Sequence, residues 1–322
     1  MSTSVVICAY TLDRWDDLCA AVTSCHEQTR YADEVILVVD YNDELFSRAT
    51  ETFTTTRVLA NRSTKGLSGA RNTGVAASFG EVVVFLDDDA FAEVAWLEKL
   101  TEPFVDRTVS GVGGWVVPEW ESEAPGWYPK TFYWVLGCSY SGLPDDNDRI
   151  RNPIGANMAI HRRVFDSVGG FTAGLGRIGN NALGCEETEL CIRYSAQFPG
   201  NRFVLRRDAV VHHRVPTSRL TWRYFWTRCW AEGLSKAAVS SLVGSEQGLA
   251  AERAHAARAI PREFAETVAK LRDDPRTAAI RAAYIVAGSA IAVAGLLRGR
   301  LAQISVPASR VSEEVEGRKS PG

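Results

Sequence analysis

The chain is predicted to be an α/β protein, a Rossmann-like, mostly parallel sheet flanked by helices and continued by a C-terminal helical extension. Three observations predict it. Apolar runs rich in Val, Ile and Leu recur through the first hundred residues, helix-length stretches separate them, and acidic or aromatic polar residues stand directly after the runs end. Strands apolar on both faces that alternate with helices require a parallel sheet covered on both sides. Ligands of such sheets bind beyond the carboxyl ends of the strands.

Residues 5–9 form the first strand, and 14–27 read as a helix with Asp13 available as its N-cap. Residues 34–39 (Glu-Val-Ile-Leu-Val-Val) are a second buried strand ending at Asp40. A polar helix follows, then a short strand at 57–60, a helix at 67–79 and a buried strand at 81–86. Tyr10, Asp40 and Asp87-Asp88-Asp89 each fall just after a strand, so three polar features converge on one sheet edge. The middle, 111–214, is rich in Trp, Gly and Pro. It holds short strands at 113–118 and 156–160, a helix at 187–197 and a hairpin-like pair at 202–206 and 209–213. Its aromatics, among them Trp115, Trp127 and Trp134, are assigned to packing first.

From residue 221 onward the pattern is helical. The last helix, 276–297, carries an apolar run over 282–297 flanked by Arg281, Arg298 and Arg300. Sixteen helical residues span roughly 24 Å, short of a hydrocarbon core of roughly 30 Å, so an interfacial or core helix is expected rather than a span. The resulting division is an α/β unit over 1–220, a helical region over 221–303, and a polar, disordered tail over 304–322.

The formal net charge of −3 leaves no electrostatic footprint for nucleic acid. Seven scattered cysteines show no paired metal-ligand spacing and read as buried thiols of a reducing compartment. The N-terminus enters a strand at once with no basic region before it, so no signal peptide is expected and placement is cytoplasmic.

The chemistry concentrates in five places. Two unit charges ~4 Å apart repel by about 1 kcal/mol in water and about 4 at an effective dielectric of 20. The aspartate run therefore calls for a counter-charge, and Mg²⁺ or Mn²⁺ supplies one that also neutralises a departing diphosphate. The plain alternative, a solvated turn, is weaker at a strand end. Asp40 suits a ribose or base, although Asp after a strand is also ordinary turn chemistry. Residues 61–74 set Lys65 and Arg71 among glycines where a helix begins, a place that favours anions, without the spacing of a Walker loop. Glu186 and Glu187 open a helix, which dipole preference alone explains, or one of them is a general base; sequence does not choose between them. Of His212 and His213, side-chain alternation lets only one face the cleft, where a histidine beside aspartates completes a Mn²⁺-type set.

In their order and spacing these segments resemble the family-two nucleotide-sugar glycosyltransferases of the GT-A fold over roughly residues 3–240. The residues that carry the likeness are Val5 to Tyr10 with Arg14, Asp40, Lys65-Gly66 to Arg71-Asn72, the aspartate run, Gly155-Ala156-Asn157-Met158, and Glu186 to Leu190. The resemblance implies an inverting single displacement. Tyr10, Arg14 and Asp40 would hold the nucleoside, Asp87 and Asp89 would serve ribose and metal with His213 as a further metal ligand, and Ala9, Lys65, Arg71, Asp88 and Asn157 would be substrate-binding. The family's Glu-Asp base motif reads Glu186-Glu187 here, which makes Glu187 the base with a longer side chain. The middle segment is similar to a subgroup that includes glucosyl-dolichyl-phosphate glucuronosyltransferases. That likeness implies a UDP-uronate donor and a polyprenyl-phosphate-linked acceptor, with Arg151 or Arg177 on the uronate carboxylate as a bidentate pair. The helix with arginine flanks would suit peripheral docking on the cytoplasmic face of a membrane. Two other readings share the sheet type: a nucleotidyltransferase releasing pyrophosphate, and a non-catalytic nucleotide-sugar-binding scaffold. A nicotinamide oxidoreductase is disfavoured because the first strand runs into Tyr10-Thr11-Leu12-Asp13, not a glycine turn.

Overall fold

The computed structural model describes residues 1–176, 184–244 and 248–302. Its spine is a nine-stranded sheet. The first half contains β1 (Thr3–Ala9), β2 (Glu34–Val39), β3 (Arg57–Ala60) and β4 (Val82–Asp87), all parallel in the order β3-β2-β1-β4. The crossovers are α1 (Trp15–His26), α2 (Asp43–Thr52) and α3 (Leu67–Ala77). These strands form because Ile7, Ile36, Leu37 and Val82 to Val84 are closed off from solvent, which only a sheet covered on both faces allows. The helix α1 buries Leu18, Ala21, Val22 and Cys25, one stripe at helical spacing. Asp13 is not its cap: a single 3-10 turn, Leu12–Arg14, precedes α1, and Thr11 Oγ1 accepts the Asp13 N–H there.

The second half contains β5 (Ala90–Ala92), α4 (Trp96–Thr101), β6 (Val109–Trp120), β7 (Arg149–Ile150), β8 (Asn157–His161), α5 (Arg162–Val168), α6 (Glu186–Gln197) and β9 (Arg202–Val215). The sheet continues β4-β8-β6-β9-β5, with β7 also on β9. Here β8 is antiparallel to both neighbours, β9 is parallel to β6, and β5 and β7 are antiparallel to β9. The α/β class stands, while parallel pairing dominates only the first half. The expected hairpin at 202–213 is one continuous strand. Both of its halves pair with β6, and a register shift between Gly114 and Trp115 absorbs the intervening residues as a bulge.

Beyond the sheet run α7 (Trp222–Val243), α8 (Ala250–Ala269) and α9 (Pro275–Leu301). The backbones of α7 and α9 touch where glycines permit it: a Cβ on Gly233 would meet the Ala292 carbonyl oxygen at 2.2 Å, and one on Gly295 the Trp230 carbonyl oxygen at 2.5 Å. Phe225, Cys229, Ile285 and Ile291 join the same apolar cluster as Val112, Val116 and Phe132 of the sheet side. The last helix is longer than its apolar run predicted. With Asp274 capping Thr277 N, Pro275 in the first turn and continuation through Arg298 and Arg300, its 27 residues cover about 40 Å. By length and composition α9 is able to cross a membrane, and one face of it is packed on α7. The tail 304–322 lies outside the described residues.

Candidate functional site

Strand register assembles the acidic centre. Asp87 is the last residue of β4, level with Cys8 of β1. Three residues on, β5 pairs antiparallel with β9 so that Ala90 stands opposite His213. His213 Nε2 thereby reaches Asp89 Oδ1 at 3.1 Å. His212 points to the other face, stacked on Phe91 with ring centroids 5.0 Å apart and 3.2 Å from Glu93.

The three aspartates have three different surroundings. Asp87 is half-buried, with Oδ1 3.3 Å from Arg71 Nη2. Asp88 is buried and accepts from Arg14 Nη1 at 2.9 Å, while its Oδ2 has no partner. Burial, with the charge of Asp89 added, pushes the Asp88 carboxyl up to about 7. Asp89 is equally buried. Burial opposes its ionisation, yet His213, Arg219 (2.8 Å) and Arg14 (3.2 Å) hold it well below the usual carboxylate range. For His213, burial disfavours the imidazolium, but Asp89 and the Cys138 thiol 3.9 Å away lift it to about 10. Three arginines, Arg14, Arg71 and Arg219, thus offset the repulsion that the sequence reading assigned to a metal alone.

Asp87, Asp89 and His213 each offer one ligand atom, all within 4.8 Å of one another. Two carboxylate oxygens and an imidazole nitrogen match the donor preference of Mn²⁺, and the orphaned Asp88 Oδ2 is a further buried acceptor beside them. The residues present fit a divalent ion.

Toward β2, Asp40 organises the loop before α3. Its Oδ1 accepts from Asn61 Nδ2 at 2.6 Å and its Oδ2 from the Gly66 N–H at 3.0 Å. Gly66 holds φ 117°, a region closed to most L-residues, so Lys65 is presented by a turn that needs this glycine. Lys65 is exposed, 6.0 Å from the Tyr41 ring centroid. Tyr10 is 47% exposed, with the Arg14 guanidinium 5.4 Å from its ring centroid. The Ala9 carbonyl is taken by the Asp40 N–H at 2.8 Å.

Arg71 is 2% exposed and makes three contacts: Glu186 Oε1 at 2.6 Å, the Gly155 carbonyl at 3.0 Å and Asp87 at 3.3 Å. It is a buried tie between the end of β4 and the start of α6, and not the open phosphate cation suggested by its loop. Glu186 is occupied by that tie. Glu187 is half-buried, and burial with the charge of Glu186 pushes its carboxyl up to about 7. Before them Cys185 holds φ 74°, a left-handed conformation costing about 1–2 kcal/mol for a residue other than glycine. Both glutamates line the cleft at the start of α6, Glu186 held by Arg71 and Glu187 without that tie.

Two expected ligand-binding residues are used otherwise. Asn157 is closed off: its Oδ1 accepts from Trp96 Nε1 at 2.8 Å and its Nδ2 donates to the Ala209 and Trp115 carbonyls at 2.9 and 3.1 Å, locking β8 to β6 and β9. The Arg151 fork is filled by both oxygens of Glu252, at 2.6 and 2.8 Å, so it has no free bidentate edge for a uronate. Arg177 lies outside the described residues. Sequence reasoning missed Arg219, Lys236, Glu232 and Glu252. All sit in helical stretches of ordinary polar composition, and only the fold carries them to the site.

One continuous cleft of about 2030 Å³ joins these groups. Of the described site residues named from the sequence, Asn157 and His212 do not line it and the others do. It runs from Tyr10 and Asp40 past the aspartates and Glu187 to α7, α8 and α9.

Comparison with known proteins gives the following. Residues 4–169 match the profile of glycosyl transferase family 2. The glucosyl-dolichyl phosphate glucuronosyltransferase of Haloferax volcanii is 33% identical over 240 residues, which cover 73% of this chain and 76% of that protein. Mouse polypeptide N-acetylgalactosaminyltransferase 12 is 27% identical over 61% of this chain, which spans only 40% of that protein. Among solved structures, GalNAc-T7 with UDP, GalNAc and Mn²⁺ aligns at a TM-score of 0.49 and 20% identity, over 67% of this chain and 44% of that one.

Proposed function

The chain belongs to glycosyl transferase family 2, and from that premise we propose that it moves a sugar from a UDP-sugar to a hydroxyl acceptor with inversion at the anomeric carbon. The acceptor is read as a sugar carried on a polyprenyl phosphate, and the transferred unit as a uronic acid. The donor's uronate rests on the Haloferax relative alone, since Arg151 is engaged by Glu252.

The observation that carries the transferase reading is the Arg71 tie, which joins the donor-side Asp87 to the segment bearing Glu187. In the proposed displacement the acceptor oxygen bonds to the anomeric carbon and its proton passes to the Glu187 carboxylate. The bond from that carbon to the β-phosphate oxygen breaks, and UDP leaves with the electron pair. Glu187 sits near 7, so its conjugate acid is poised for that exchange at neutral pH. Tyr10 and Asp40 line the nucleoside end of the cleft, and Arg14 fixes Asp88 and Asp89. Asp87, Asp89 and His213 would hold Mn²⁺ or Mg²⁺, which when bound supplies positive charge to the leaving diphosphate.

For location, we read the exposed Leu297 and Leu301 beside Arg298 and Arg300 as a face that docks on a membrane surface at its cytoplasmic side. Seven free thiols support a reducing compartment. The test is a thermal-shift screen of UDP-sugars with Mn²⁺, followed by product analysis with the stabilising donor. Release of UDP supports the transferase, release of pyrophosphate from a nucleoside triphosphate marks a nucleotidyltransferase instead, and binding without either product marks a scaffold.

A further inference from the structure

The turn that carries Glu187 is anchored by two helices. Arg71 of α3 holds Glu186 at 2.6 Å. The helix α7 holds the two residues before the glutamates. The Gly184 N–H donates to Ser235 Oγ at 3.1 Å, and the Cys185 thiol lies 3.8 Å from Glu232 Oε1. Ser235 is closed off from solvent, and its hydroxyl donates to the Ala231 carbonyl at 2.8 Å, which leaves the oxygen fixed as an acceptor for Gly184. Cys185 and Ile192 also pack against Val239 of α7.

Glu232, Ser235 and Lys236 stand at i, i+3 and i+4, so they share one face of α7. Lys236 is 7% exposed, with Nζ 3.1 Å from Glu232 and 2.9 Å from Glu252, whose carboxylate fills the Arg151 fork. A buried ammonium is costly even when paired, and an apolar side chain of similar volume is often as stable in such a place. The pairing alone is therefore a weak reason for a lysine here, and its field is a stronger one. The groups about Glu187 are Glu186 and the Thr188 hydroxyl on its own helix, the Cys185 thiol before it, Arg71 from α3 and Lys236 from α7. Glu186 opposes the Glu187 carboxylate, while Arg71 and Lys236 favour it.

We propose that Glu232, Ser235 and Lys236 are positioning residues for Glu187: they fix the turn from which it projects and supply the α7 share of the charge it faces. The assignment deepens the reading of Glu187 as base and rests on it. The C-terminal helices then belong to the transfer site itself.

The test follows the carboxyl carbon of Glu187 by NMR in the full chain labelled with ¹³C-glutamate, the signal being identified by its loss in Glu187→Gln. Lys236→Met should move the Glu187 titration to higher pH, since a charge that favours the carboxylate is gone. Lys236→Arg, which keeps the charge, should leave it near the wild-type position. Lys236→Gln keeps a donor for the two glutamates without the charge, so it carries the same expectation where Lys236→Met does not fold. In UDP release, Ser235→Ala should lower kcat about tenfold with the donor KM unchanged, because a small displacement of the base is enough for that. Melting temperatures confirm that each variant is folded. A Glu187 titration that stays in place in the uncharged variants, or a wild-type kcat in Ser235→Ala, overturns the proposal. Wild-type turnover in Glu187→Gln removes the base reading instead, and the titration then decides alone whether α7 governs this carboxyl.

Discussion

The two ends of the cleft hold their polar groups by opposite means. At the sheet edge, backbone register does the placing: the pairing of β5 with β9 sets His213 against Asp89, and β4 delivers Asp87 level with Cys8. At the helical end, side chains do it. The helix α8 is fastened by Glu252 to Arg151 and Lys236, by Glu263 to the N–H groups of Lys130 and Thr131, and by His255 to the Thr131 carbonyl. Register is shared by many hydrogen bonds and yields to no single substitution, whereas a side-chain tie can be cut alone. The first arrangement suits chemistry that tolerates no displacement. The second suits a wall that can open locally while the sheet stays closed.

The largest effect should come at the sheet edge. Asp89→Asn and EDTA should each reduce turnover by about a thousandfold or more, with Mn²⁺ restoring only the chelated wild type in a UDP-release assay. Full activity in chelator would remove the metal from the reading. Next in size is Glu187→Gln, expected to lower kcat by roughly 10²–10⁴-fold. In the proposed displacement the active form is the carboxylate, which burial and Glu186 push up to about 7, so the wild-type rate should climb as pH rises through that value. The variant should lose that limb. Its persistence would move the base elsewhere.

Smaller effects belong to the helical end. Arg151→Met leaves Glu252 with Lys236 alone and should cost on the order of 1–3 kcal/mol, seen as faster hydrogen exchange in α8 while β1 to β4 keep their protection. Lys236 and Arg151 outweigh burial and hold Glu252 down at about 2 against an ordinary value of 4.5. Stability from a depressed carboxylate is present above the unfolded value and is lost as pH falls toward the folded one. In acid, then, α8 protection should decline between about 4.5 and 2. Uniform loss across the sheet and α8 would erase the contrast between the two ends. The smallest effect is Leu301→Asp, which should reduce co-sedimentation with anionic vesicles a few-fold, roughly the loss of one apolar side chain from an interface.

The first half of the fold was legible because its strands bury both faces, which leaves an unbroken apolar signature at residues 34–39 and 82–86. The long strand β9 was not: Arg206-Arg207-Asp208 looks like a turn, and only pairing with β6 shows it to be a bulge. Glu187 was named, but its separation from Glu186 required Arg71 to be seen inside the protein and not on its surface. Asn157 misled because its motif position is real while its amide is spent on three elements of the core. Arg219 gave no periodic or spacing signal, since its ion pair with Asp89 spans 130 residues and depends on tertiary placement.

Those separations bear on how the molecule comes into being. Arg71 and Glu186 stand 115 residues apart, and Arg219 and Asp89 stand 130 apart. During synthesis Arg14 and Arg71 are already made when the aspartate run emerges, but Asp89 waits for His213 and Arg219 until more than a hundred further residues have been added. Contacts of such range are the slow ones to form. The acidic centre is therefore completed late, and a chain stopped short of residue 213 would leave Asp89 with Arg14 as its counter-charge, without His213 and Arg219.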